Sequence, residues 1–165
     1  LSEAAASLPL GLAVAGKAVE AHPVLDLLAR PNQREGGQRF LEGVYGHLLV
    51  AGNAYVEAVT VEGALRELHA LRPDRMRVVP GSDGWAAAYD YTVGARTVRF
   101  RQDGEGTPPI LHLTLFHPTD DHYGFPPLEA AAAALDLHNA TAAWNKSLID
   151  NAARPSGALI FAGDA

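Results

Sequence analysis

Cysteine is absent from the 165 residues. That excludes disulfides, thiolate zinc sites and cysteine nucleophiles, and is consistent with a reducing compartment. Charge is scarce: Asp, Glu, Lys and Arg make up only 19% of the chain, so part of the surface is expected to lie against something else, such as sister subunits. The 13 Lys and Arg are outnumbered by 19 Asp and Glu, giving a net charge of -6, and no basic run occurs. Tight, salt-dependent phosphate binding is therefore not expected. Long apolar runs are missing too. The stretch from Leu8 to Val19 is broken by Pro9, Gly11, Gly16 and Lys17. It is too short to cross a bilayer and has no basic leader, so neither a signal nor a transmembrane segment is expected. Nor is there a P-loop, a dinucleotide fingerprint or a nucleophile elbow around Ser82, Ser147 or Ser156, which sets aside ATPase, dehydrogenase and serine-hydrolase chemistry.

What remains is apolar enough to fold, at 48%, and long enough for one ordinary domain. Both ends, Leu1 and Phe161-Ala-Gly-Asp-Ala165, read as cut from something longer. Residues 1–21 are rich in alanine and glycine and carry at most a short helix or strand. His22-Pro23 opens a short apolar helix over Val24 to Ala29, halted at Arg30-Pro31-Asn32. Over about 37–50, Phe40, Leu41, Val44, Tyr45, Leu48 and Leu49 recur at three and four residues, one buried stripe of an amphipathic helix. Gly52-Asn53 ends it, because these residues accept the left-handed conformation common at a helix C-terminus.

After Gly52 the period becomes two. Strands are expected over Ala54 to Thr60, Leu65 to Leu71 and Arg75 to Val79, with Glu62-Gly63 as a turn and Pro73 as an interruption. Trp85, Ala87, Tyr89, Tyr91 and Val93 alternate as one aromatic strand face, followed by Thr97 to Arg101 and Ile110 to Phe116. The middle is therefore read as an antiparallel, mostly hairpin-linked sheet. A long helix starts near Pro126-Pro127, where proline is tolerated, and stops before Pro155. Its apolar residues (Leu128, Leu135, Leu137, Trp144, Leu148, Ile149) spread around the helix, which implies neighbours on several faces. The fold class is α+β: a mostly antiparallel sheet packed with helices, followed by one long helix.

The densest polar cluster is His112, His117, Asp120, Asp121 and His122. A divalent metal with an activated water could sit on His112, His117 and Asp120, which would make the protein a metal-dependent hydrolase. The spacing matches no known metal-hydrolase motif, and His117-Pro118-Thr119-Asp120-Asp121 is also an ordinary strand-to-turn exit. No metal, cofactor or catalytic residue is assigned, and the expectation is a non-enzyme. His138 and Asn139 read as polar contacts within a bundle. Trp85, Tyr89 and Tyr91 read as sheet core and not as a base-stacking platform, because no basic groove flanks them. A stand-alone domain that binds one protein partner through the long helix is the other alternative.

Several segments, in order, resemble the portal proteins of tailed phages, of the type named after the Hong Kong phage. They are His22-Pro-Val-Leu-Asp-Leu-Leu-Ala-Arg-Pro-Asn32, Leu48-Leu-Val-Ala-Gly-Asn-Ala-Tyr-Val-Glu57 and Leu71-Arg-Pro-Asp74. Leu111-His-Leu113 follows, then Tyr123-Gly-Phe-Pro-Pro-Leu128 with its alanine-rich helix, and Asn151-Ala-Ala-Arg-Pro-Ser-Gly157. Pro126 departs from the family's usual serine, which would have capped the helix through its hydroxyl. The resemblance implies a wing-like α+β domain over residues 1–125, a stem-like helix over 126–154 and the start of a clip-like segment over 155–165. It implies a ring, dodecameric in the full-length form, at one vertex of the capsid of a virion or prophage particle. DNA would pass through without tight binding, and the packaging motor (terminase), capsid protein and head-completion adaptor would be partners. Assembly would take place in the bacterial host cytoplasm, away from any membrane. Gly52, Asn53, Gly124, Pro127 and Leu128 are expected to be structurally demanding hinge and cap positions.

Overall fold

The computed structural model describes residues 1–104 and 106–151. It begins with a one-turn helix α1 (Ser2–Ala6) and a small hairpin of β1 (Leu12–Val14) and β2 (Lys17–Val19). Helix α2 (Pro23–Ala29) has proline in its first turn, and the His22 ring accepts the Val24 N–H at 3.2 Å as its cap. Helix α3 (Gly37–Ala51) buries Phe40 and Val44 on the stripe its periodicity predicts. Gly37 lets α3 start directly against the Leu28 carbonyl, where a Cβ would collide.

The strands are β3 (Asn53–Val61), β4 (Ala64–Leu71), β5 (Met76–Pro80), β6 (Ala86–Val93), β7 (Arg96–Arg101) and β8 (Ile110–Thr114). All pair antiparallel, but not as one sheet: β4-β3-β8 form one and β5-β6-β7 another. Pro73 is the cause. It opens a single 3₁₀ turn, Pro73–Arg75, at which the chain leaves the first sheet for the second; an alternating pattern does not say which sheet a strand joins.

Three layers result. Leu41, Leu48 and the buried Phe40 and Val44 of α3 pack on Ala54 and Val56 of β3. From the opposite face of β3, Tyr55 packs on Met76, Val78 and Tyr89 of the second sheet. β3 is therefore the central strand, and its first four residues are all buried.

Two strands differ from the sequence reading. The pairing of β5 with β6 jumps from Val79–Ala88 to Pro80–Ala86, so Ala87 is an extra, bulged residue that shifts the alternation by one. Trp85 lies before β6 and is 78% exposed, so it is no part of an aromatic core face. β8 ends at Thr114, and Phe116 beyond it is 86% exposed.

The chain divides into two compact units at Glu129/Ala130. The helix expected over 126–154 comes as α4 (Pro127–Ala130) and α5 (Ala132–Asp150), separated by Ala131, which supplies no side-chain cap. Nothing in the alanine-rich sequence there explains the interruption. Every residue of α5 is exposed, including Leu137, Trp144 and Ile149. Residues 152–154 and the clip-like segment 155–165 lie outside the described residues. Among the described residues no helix is long and apolar enough to cross a membrane.

Candidate functional site

The polar centre of the first unit forms where α3 hands the chain to β3. Gly52 caps α3 at φ +69, and its N–H donates to the Leu48 carbonyl at 2.9 Å. The Gly52 carbonyl accepts the Leu115 N–H at 2.9 Å. A Cβ on Gly52 would overlap the Gly124 carbonyl, and one on Gly124 would overlap the Gly52 carbonyl. Two backbones thus touch where only glycine fits on either side.

Asn53, 6% exposed, locks this crossing. Its amide nitrogen donates to the Ala51 carbonyl at 2.7 Å and more weakly to the Gly124 carbonyl at 3.4 Å. Its Oδ1 accepts the Gly124 N–H at 2.8 Å and lies 3.1 Å from His112 Nε2. His112 stacks on Tyr55 with ring centroids 4.1 Å apart, meets the edge of Tyr89, and has the Tyr89 hydroxyl 3.4 Å from its Nδ1. Both ring nitrogens are therefore engaged by a neutral imidazole that donates from Nε2 and accepts at Nδ1. Burial, followed by the nearby His122, lowers its pKa to about 4. The Tyr55 hydroxyl is buried without a hydrogen-bond partner among the described residues, and burial raises its pKa.

The segment that Asn53 holds also closes the second sheet, because the Tyr123 hydroxyl accepts the Val78 N–H at 2.9 Å. Gly52, Asn53 and Gly124 are thus brought together. Pro127 and Leu128 stand apart, exposed in α4. Three residues named along the chain take structural roles that the sequence does not assign them. His112 is a half-buried ring stacked on the core Tyr55. Tyr123 links the two sheets. Asn32, 5% exposed, donates to the Leu68 carbonyl at 2.9 Å while its Oδ1 accepts the Arg34 and Glu35 N–H groups. With the Pro31 carbonyl accepting the Leu68 N–H, it covers the open edge of β4. Its place directly after a helix-ending proline, at the end of a segment that carries the family resemblance, is the signal that marks it.

The residues of the metal alternative go separate ways. His117 Nδ1 accepts the Thr119 N–H at 3.2 Å, and its ring meets Phe125 edge-on. Asp120 accepts the His122 and Tyr123 N–H groups at 2.7 and 2.8 Å, and those bonds hold its carboxyl below the usual range. Among the described residues no group of three or more His, Asp or Glu is placed to hold a metal. The cluster fixes backbone.

The sequence profile of the family described as "Phage portal protein" matches residues 1–165. The chain belongs to the phage portal protein family. That family is structural. A chain from the neck of an empty GTA particle, computed with C6 symmetry, superposes with a TM-score of 0.86 at 56% identity, covering 98% of this chain and 44% of that one. A chain from the neck of a native GTA particle, computed with C12 symmetry, gives 0.79 at 52% identity over 99% of this chain and 43% of that one. An uncharacterized protein of Rickettsia bellii (strain RML369-C) is 35% identical over 153 residues, which is 88% of this chain and 37% of that protein. The portal chain thus spans well under half the length of these relatives.

Proposed function

We propose that this chain is part of a subunit of a ring-shaped conduit at the capsid vertex of a phage-like particle, through which DNA enters and leaves. The observation that carries this reading is the 56% identity and TM-score of 0.86 with a GTA neck chain over 98% of this sequence. In this reading residues 1–125 form the wing, 126–154 the stem helix beside the channel, and 155–165 the start of the clip that docks the packaging motor and the head-completion adaptor. Gly52, Asn53 and Gly124 then fix the point at which the chain leaves the wing, and Pro127 and Leu128 begin the stem.

The role is mechanical, without catalysis or cofactor. A net charge of -6 opposes tight binding to a like-charged duplex, which suits a passage that must not stall DNA. The exposed apolar residues of α5, Leu137, Trp144 and Ile149, are the kind of surface that sister subunits cover in a ring. The deciding experiment is the mass and shape of the full-length protein by light scattering and negative-stain imaging. The expected result is rings with a central hole and about a dozen subunits, by likeness to the C12 neck. A monodisperse monomer under all conditions would overturn the reading.

A further inference from the structure

A closed ring with cyclic symmetry is built from heterologous contacts, in which one patch of a subunit meets a different patch of the next. The first unit carries two exposed apolar features that are candidates for such a pair. One is a protruding anchor, Trp85, 78% exposed at the tip of the β5–β6 hairpin. Its loop is built from within: the Gly81 N–H donates to the Trp85 carbonyl at 2.6 Å, and the Trp85 N–H donates to Asp83 Oδ1 at 3.1 Å. A large aromatic on a loop held by its own hydrogen bonds loses little freedom on docking, which is how interface anchors gain affinity.

The other feature is a groove of about 370 Å³ among α1, α2 and α3, lined chiefly by Leu8, Leu10, Leu25, Leu28 and Leu41. Leu8 and Leu10 on its rim are 66% and 51% exposed. The groove falls in the size range of sites that enclose small apolar groups, roughly 300–1,000 Å³. The layer order puts the two features on opposite flanks: the groove belongs to the helical layer on one side of β4-β3-β8, and the Trp85 hairpin to the sheet on the other.

We infer that Trp85 of one copy seats in the Leu8–Leu41 groove of the next copy around the ring. The inference rests on the ring reading above and adds which surfaces meet. The occupant is a second copy because the neck chains it resembles were resolved with C6 and C12 symmetry, and because neither surface can satisfy the other within its own subunit across the intervening sheet.

The test uses the full-length protein with the photo-crosslinker p-benzoylphenylalanine in place of Trp85. Crosslinks to residues 8–41 of another copy are expected in assembled rings. Trp85→Ala and Leu10→Glu should each raise the subunit concentration for half-assembly roughly tenfold or more, with circular dichroism unchanged. Rings whose crosslinks map elsewhere, whether to a capsid or adaptor protein or to another part of this chain, would overturn the inference and leave the portal reading standing. So would both variants assembling like the wild type. A wild type that never forms rings would instead defeat the portal reading, and this inference with it.

Discussion

Replacing Asn53 with alanine tests whether the Gly52–Gly124 crossing is held by its side chain or merely filled by it. The substitution strands two donors, the buried Gly124 N–H and the part-buried His112 Nε2–H, which Asn53 Oδ1 accepts at 2.8 and 3.1 Å. A buried donor left unsatisfied costs about 1–3 kcal/mol. The Ala51 carbonyl also loses its donor, at a smaller cost because carbonyls tolerate under-satisfaction better. The sum is about 2–6 kcal/mol, and partial relaxation of the Leu115–Gly124 segment brings the expectation to about 3 kcal/mol, a large fraction of a stability of about 5–15 kcal/mol. Urea unfolding followed by circular dichroism reads this directly. Asn53→Asp keeps an acceptor but points an anionic oxygen at the Ala51 carbonyl, so it should also destabilise at neutral pH and recover in part on acidification. A double-mutant cycle with His112→Phe should show coupling of about 1–2 kcal/mol, since the phenyl ring leaves no donor for Asn53 to satisfy. Asn53→Ala within about 0.5 kcal/mol of wild type, or strict additivity in the cycle, would refute this account.

Three other outcomes are expected. His112 is neutral in the fold with a pKa of about 4 against 6.5 for a free ring, so its contribution is complete above pH 6.5 and is lost as pH falls toward 4. That adds a slope approaching about 1.4 kcal/mol per pH unit. Burial of His47 acts in the same direction, so His112→Phe should reduce the slope over this window without abolishing it; an unchanged slope would count against the buried neutral ring. Ala15 and Glu62 hold positive φ, at +49 and +53, before glycines in two hairpin turns. Ala15→Asn and Glu62→Asn should each raise stability by about 0.5–1 kcal/mol, read as a higher urea midpoint with unchanged slope. Duplex DNA should bind the chain no better than a neutral control at moderate salt; a strong, salt-sensitive gel shift would contradict the proposed passage.

Much of the architecture is legible along the chain because local chemistry decides it. The α3 stripe follows from Phe40, Val44 and Leu48 at helical spacing, and its end from Gly52, the residue that takes φ +69 at no steric cost. The strands between β3 and β8 follow from alternation and turn residues, to within a residue or two at most ends. The family resemblance is carried by short segments whose physical roles the structure supplies. Pro31-Asn32 covers an edge strand, and Gly52-Asn53 with Gly124 forms the crossing.

What was not legible depends on partners distant in sequence. β3 is apolar on both faces because α3 covers one and the second sheet the other, yet a doubly buried strand and a one-sided strand can carry similar residues. The chain changes sheet twice, at the 3₁₀ turn opened by Pro73, which sequence reads only as an interruption, and again between β7 and β8. The bulge at Ala87 comes from pairing register, a property of two strands together. His112 is the sharpest case. Beside His117 and Asp120 along the chain it has the makings of a metal ligand. Strand alternation turns it instead toward Tyr55 and Tyr89, while His117 and Asp120 turn to their own backbone. Proximity in sequence put these groups in one cluster; the pleat of β8 and the turn after it take them apart.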